Sequence, residues 1–239
     1  MPTIARALSR PLAVAGLLVT ALLLSAAHRA LILPALGAAA NVTVLGGAGV
    51  TCTTSSVTGT VSSRLTVTKA AGCSIAGDIH QGDASAAGSF KDFLTAYTGF
   101  KALPCPAAND LTGKALGGMT LAPGVYCFNS TAGLTSGNLT LAGPSSGTWV
   151  FQVATAITTG NAQVVMSGGG EACNVFWVLG TGATIGTDTR FKGNILAGSS
   201  VAFTGVNSSL VGRAMAQAAV TMSGTDISGC GGTRSRPRR

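Results

Sequence analysis

The sequence predicts a mainly β chain wound as a solenoid, with one α-helix packed alongside it. Three observations lead there. Short Val-, Thr- and Phe-rich runs separated by Gly turns fill the chain from Leu116 onward. A four-residue pattern recurs at intervals of about twenty residues. One segment, Asp83–Gly99, carries helical rather than alternating periodicity.

Composition sets the outer limits. The 239 residues are 46% hydrophobic and only 9% charged, so the chain has ample surface to bury and is not disordered. Ser, Thr, Asn and backbone must cover the surface in place of charge. The net charge of +8 is concentrated at the ends. Arg6, Arg10, Arg29, Arg234, Arg236, Arg238 and Arg239 supply seven of the eight charges, and residues 30–233 carry only +1. A nucleic-acid partner is therefore excluded for the body.

Residues 1–27 read as a secretory signal peptide. Arg6 and Arg10 give a positive start, Leu12–Leu24 an uncharged apolar stretch, and Ser25-Ala26-Ala27 the small residues of a cleavage site. Ala38-Ala39-Ala40 offers a second, later site, which would extend the signal up to residue 40. The expectation is a secreted or cell-surface protein with no stable membrane insertion once the signal is removed. Residues 231–239 read as a basic disordered tail.

Export gives meaning to the six cysteines. They permit about fifteen connectivities, and no pair has the close spacing of a zinc or redox motif. Three structural disulfides are expected, with neighbours paired: Cys52–Cys73, Cys105–Cys127 and Cys173–Cys230.

Val42–Leu45 reads as a first strand, and the Thr/Ser/Val alternation over 51–68 continues the β pattern. A helix follows near 83–98. Ala87, Phe90, Leu94 and Tyr97 fall on one helical face, Asp83 caps the N-terminus, and Gly99 supplies the left-handed residue beyond the C-terminus. From Leu116 onward, ten short strands separated by turns suggest a sandwich, a barrel or a solenoid. The pattern Thr, small, variable, Thr/Asn decides for the solenoid. It appears at Thr155, Thr181 and Thr204, with degenerate copies at Thr135 and Ser223, at successive spacings of 20, 26, 23 and 19.

Catalytic chemistry has no foothold. His28 lies near the N-terminus, His80 reads as a surface or turn residue, and the seven acids are scattered. No HExxH, EF-hand or calcium nonapeptide repeat occurs, and the Gly168–Gly170 turn lacks the Lys-Ser/Thr of a phosphate loop. Trp149, Phe151, Phe176 and Trp177 sit in apolar strands and read as core. No enzyme activity, metal or cofactor is expected.

At these residues the chain resembles the family of secreted ice-binding proteins built on an irregular β-solenoid with a flanking helix. The resemblance is carried by Gly117–Cys127, Gly147–Ala154, Ala172–Thr187, Phe191–Thr204 and Ser209–Ser223. It implies a single domain over 36–230, a right-handed β-helix of roughly triangular section, and a flat face that adsorbs to ice. Some members carry Thr–Ala/Gly–x–Thr/Asn on that face, which falls here on Thr155–Thr158, Thr181–Thr184 and Thr204–Asn207. Taking the first Thr of each copy as outward, the expected ice-contacting set is Thr155, Ile157, Thr181, Ala183, Thr204, Val206, Ser223 and Thr225.

The expected function is ice binding by a monomer, with an ice crystal surface as partner and inhibition of ice growth or recrystallisation as outcome. The alternative is an extracellular adhesion or matrix module on the same scaffold, recognising glycan or protein. An exposed aromatic cluster would favour adhesion, and an uncharged Thr face favours ice.

Overall fold

The computed structural model describes residues 32–230. The signal peptide expected over 1–27 and the basic tail expected over 231–239 lie outside the described residues. Within them the chain winds into coils of three short strands, and the strands of each side stack in register on those of neighbouring coils. The strand pairings are parallel, as in Ile157–Thr159 against Ala183–Ile185 and Trp149–Val153 against Val175–Leu179. This is the solenoid expected from the repeat.

Strand burial follows from what each side faces. On the threonine-rich side Ile157 and Thr159 point inward while Thr158 points out, the period of two of a half-buried strand. On the side beneath the helix the alternation disappears. Val42–Gly46 is buried at every position, because one set of side chains fills the core and the other meets the helix. Continuous apolar runs such as Val175–Leu179 are the sequence mark of that two-sided burial. Inside, Tyr126, Phe151, Trp177 and Phe191 stack coil upon coil, with ring centroids 5.5, 4.1 and 4.9 Å apart.

Order along the chain differs from order in space. The first coil, Val42–Thr58, sits on the last, which ends with Ala219–Ser223 and Thr225–Ser228. The next strands, Thr60–Ser63 and Thr66–Lys69, extend the stack outward to Ile79–Gln81. The chain must then return to the far end to begin the strand Gly124–Phe128, and the helix makes that return. Eight strands lie side by side from Ile79–Gln81 to Gly124–Phe128, a span of about 34 Å. The helix Ala84–Lys101 has 18 residues and covers about 27 Å of it. Arg213 helps hold the first coil on the last by donating Nε–H to the Ala40 carbonyl at 3.0 Å.

Asp83 caps the helix as expected, its carboxylate accepting from the Ala86 N–H at 2.7 Å. The expected stripe is rotated by about one position. Ala86, Phe90, Phe93, Tyr97 and Phe100 are buried, whereas Ala87 is exposed and Leu94 half-buried. The sheet selects the face with the larger aromatic surface, and Phe100 stacks on Phe176 at 4.4 Å. Gly99 lies inside the helix rather than beyond it. A Cβ there would stand 2.8 Å from Pro34 Cγ, so glycine admits the N-terminal segment that crosses the helix.

The three disulfides join Cys52 to Cys73, Cys105 to Cys127 and Cys173 to Cys230. The first ties the end coil to its neighbour. The second anchors the chain leaving the helix to the strand Gly124–Phe128. The third holds residue 230 against the coil that contains Val175–Leu179.

Candidate functional site: the threonine sheet

Three sides of the solenoid have three different surfaces. The helix covers the first. The second carries three charges pointing outward: Arg190 between Gln163 and Ser209, Lys192 beside Val211, and Asp226 between Ser209 and Ser56. The third is a seven-stranded sheet running from Ala132–Leu134 to Thr66–Lys69.

The outward residues of this third sheet are assembled strand by strand. Along its centre Thr158, Thr184, Ala202, Thr221, Thr51 and Thr68 occupy one register, with Gly133 beyond Thr158. On one side of that column Ala219, Gly49 and Thr66 continue the hydrogen-bonded row of Ala156, Gly182 and Ser200. On the other, Ser223 faces Thr53, and Thr204 follows Ala202 by two residues. These rows hold Thr, Ser, Ala and Gly, and no charged residue. Beneath them Ile157, Ala183, Val201, Val220 and Val50 point inward and are nearly fully buried. The sequence therefore repeats small–apolar–Thr: Ala156-Ile-Thr158, Gly182-Ala-Thr184, Ala219-Val-Thr221, Gly49-Val-Thr51 and Thr66-Val-Thr68.

The residues singled out from the sequence do not form one surface. Thr155 and Thr181 are exposed and adjacent, the Thr181 N–H donating to the Thr155 carbonyl at 2.8 Å, but they stand at the corner before the sheet. Thr204 and Ser223 are exposed at the opposite margin. Ile157 is 0% exposed and Ala183 4%, because the strand begins later than the pattern suggested and its third residue points inward. Val206 is 62% exposed but lies past the strand Val201–Phe203, at the next corner. Thr225 is 2% exposed and begins a strand of the charged side, its Oγ1 donating to the Ser208 carbonyl at 3.2 Å. The copies at 155 and 181 are in phase with each other, and those at 204 and 223 with each other, but the second pair stands five residues later in register than the first. Thr51 and Thr68 were missed because they precede the helix, far along the chain from the coils they join.

Each turn from this sheet onto the charged side contains one residue in the left-handed region. Gly118, Gly137, Asn161, Asp188, Asn207, Gly224 and Gly72 fill this position, and Thr54 does so at φ 45°. This corner resets the chain direction without fixing the number of residues used.

Other chemistry is sparse among the described residues. His80 Nδ1 stands 2.8 Å from Asp83 Oδ2, so it supports the helix cap rather than pairing with Asp78. No group of three His, Cys, Asp or Glu side chains could hold a metal ion. Among the described residues no helix is long and apolar enough to cross a membrane. All twelve aromatic residues are buried except Phe176, which lies half-buried under the helix.

The ice-binding-like family profile matches residues 35–228. The chain belongs to that family. An ice-binding protein of Nostoc sp. is 43% identical over 200 residues, which cover 81% of this chain and 73% of that one. Among solved structures, an ice-binding protein of the Antarctic ascomycete Antarctomyces psychrotrophicus superposes with a TM-score of 0.76 at 32% identity, covering 81% of this chain and 97% of that one. An ice-binding protein from an Antarctic biological consortium gives 0.77 at 32% identity, covering 82% and 90%. These relatives of the ice-binding-like family are named for binding, not for a reaction.

Proposed function

We propose that this protein is exported, binds ice as a monomer through the threonine sheet, and inhibits ice growth or recrystallisation. The observation that carries this reading is the register of Thr158, Thr184, Ala202, Thr221, Thr51 and Thr68, on a sheet whose outward rows hold no charged residue and which no other described element covers.

The mechanism follows from the surface. Neighbouring coils space the Thr side chains about 4.8 Å apart, and alternate residues along a strand are about 6.6 Å apart. Each Thr offers a hydroxyl that hydrogen-bonds water and a methyl that does not. A rigid array of both orders first-layer water, and holding a water costs about 0–2 kcal/mol, which the lattice of a growing crystal then shares. Ala and Gly between the Thr columns keep the surface low enough for close approach. A charged side chain would keep its own hydration shell and disturb that layer. Aromatic side chains that would serve as a glycan platform are in the core, so the adhesion reading has no matching surface.

Export is supported by the signal-like N-terminus and by three disulfides, which persist in oxidising compartments.

The test is crystal shaping by purified protein. Thr184→Tyr and Thr221→Tyr place a ring in the central column and should abolish shaping, with melting changed by no more than about 0.5 kcal/mol in stability. Lys192→Ala, on the charged side, should keep full activity. Wild-type shaping by both folded Tyr variants would refute this site.

A further inference from the structure

We propose that Asn41, Asn129, Asn138 and Asn207 are acceptors of N-linked glycans, placed so that the sugars leave the threonine sheet clear. Each opens an Asn-X-Ser/Thr tripeptide: Asn41-Val42-Thr43, Asn129-Ser130-Thr131, Asn138-Leu139-Thr140 and Asn207-Ser208-Ser209. Acceptor chemistry rests on the export reading, because only a chain entering a secretory compartment meets the donor.

The tripeptide alone is a weak signal. Its coincidence with exposure is the stronger one. The chain has eight asparagines, and the four that open the motif are all exposed. Of the four that do not, only Asn161 is exposed. Asn109, Asn174 and Asn194 are half-buried or buried, and commit their amide nitrogens to backbone carbonyls at 2.8–2.9 Å. Those structural amides could not carry a sugar without losing a bond that holds the coils. Asn129 and Asn207 instead reach exposed carboxylates at long range, 3.4 Å to Asp110 and 3.3 Å to Asp188. Replacing one of these contacts with solvent-facing sugar costs little.

Asn41 ends the short 3-10 turn Gly37–Asn41, Asn129 follows the strand Gly124–Phe128, Asn138 points outward from Gly137–Ala142, and Asn207 stands at the left-handed corner. None belongs to the seven strands of the threonine sheet. In the transfer itself the Asn Nδ2 attacks C1 of a lipid-pyrophosphate-linked oligosaccharide. The C1–N bond forms, the C1–O bond to pyrophosphate breaks, the amide releases one proton, and the lipid pyrophosphate leaves.

The experiment secretes the full chain from yeast behind a host leader, so that it does not depend on the protein's own signal. The product is treated with peptide N-glycosidase in heavy-oxygen water, which marks every formerly glycosylated Asn as a labelled Asp. Label at all four positions and at none of the other four asparagines is expected, and absence of label from Asn129, Asn138 and Asn207 overturns the proposal. Crystal shaping should be unchanged by enzymatic removal of the sugars. The substitution Ala219→Asn, followed by Val220 and Thr221, creates an acceptor tripeptide on the threonine sheet, and the glycan there should suppress shaping until it is removed. Suppression by the native glycans would overturn their placement. Failure of both glycosylated and trimmed protein to shape ice would refute the ice reading and leave the mapped sites standing.

Discussion

Asn207 donates its side-chain amide to Asp188 across neighbouring coils, and both residues occupy the left-handed backbone region at the same corner. Asn and Asp tolerate that conformation because their short polar side chains bond locally. Thr54 holds the equivalent corner one coil beyond Gly224, with a β-branched side chain that the conformation disfavours. Strain at such a residue is about 1–3 kcal/mol.

Thr54→Asn should therefore raise stability by about 1 kcal/mol, and Asn207→Val should lower it by about the same amount. Urea midpoints on protein made in a bacterial host are the measurement, since the acceptor tripeptide that Thr54→Asn forms with Ser55 and Ser56 then stays unmodified. An unchanged or lowered midpoint for Thr54→Asn would show that the corner is relaxed.

Ser62 lies beneath the helix beside Leu45, fully buried, and its hydroxyl has no hydrogen-bond partner. An orphaned buried hydroxyl costs about 1–3 kcal/mol. Ser62→Ala removes it with little change in volume, so equilibrium unfolding should show a gain of about 1 kcal/mol. A loss instead would mean that the hydroxyl has a partner such as an internal water.

The disulfides should differ in weight. Cys173–Cys230 closes 57 residues, against 21 and 22 for the other two. Chain-entropy arithmetic gives about 4.2 kcal/mol for the long loop and about 3.3 kcal/mol for each short one. Paired Cys→Ala variants should melt in that order, and reductant should lower the wild-type melting temperature. Equal melting with and without reductant would count against all three.

Acid should weaken the helix cap. The Ala86 N–H, and after it the His80 side chain, hold the Asp83 carboxyl below its ordinary value. A lowered folded-state pKa contributes stability that is present above the unfolded value and disappears as pH falls through the folded one. Asp83→Asn keeps an acceptor for Ala86 but cannot titrate. The stability advantage of wild type over Asp83→Asn should be constant near neutrality and shrink below about pH 4. A gap that stays flat to pH 3 would show that the carboxylate charge contributes nothing.

Much of the fold can be read from local chemistry. The apolar runs of Trp149–Val153 and Val175–Leu179, the Asp83 cap and the small–apolar–Thr copies each follow from side-chain period or backbone donors within a few residues. Sequence by itself determined that the chain is a β-solenoid with one helix and that Thr dominates an exposed side. Tertiary structure alone decided which Thr residues share that side. A period of two fixes inward and outward within one strand, but the corners consume different numbers of residues. Thr158, Thr184, Ala202 and Thr221 are thus spaced by 26, 18 and 19. Thr51 and Thr68 join them only because the first coil stacks on the last and the helix carries the chain back, a closure that no local pattern records.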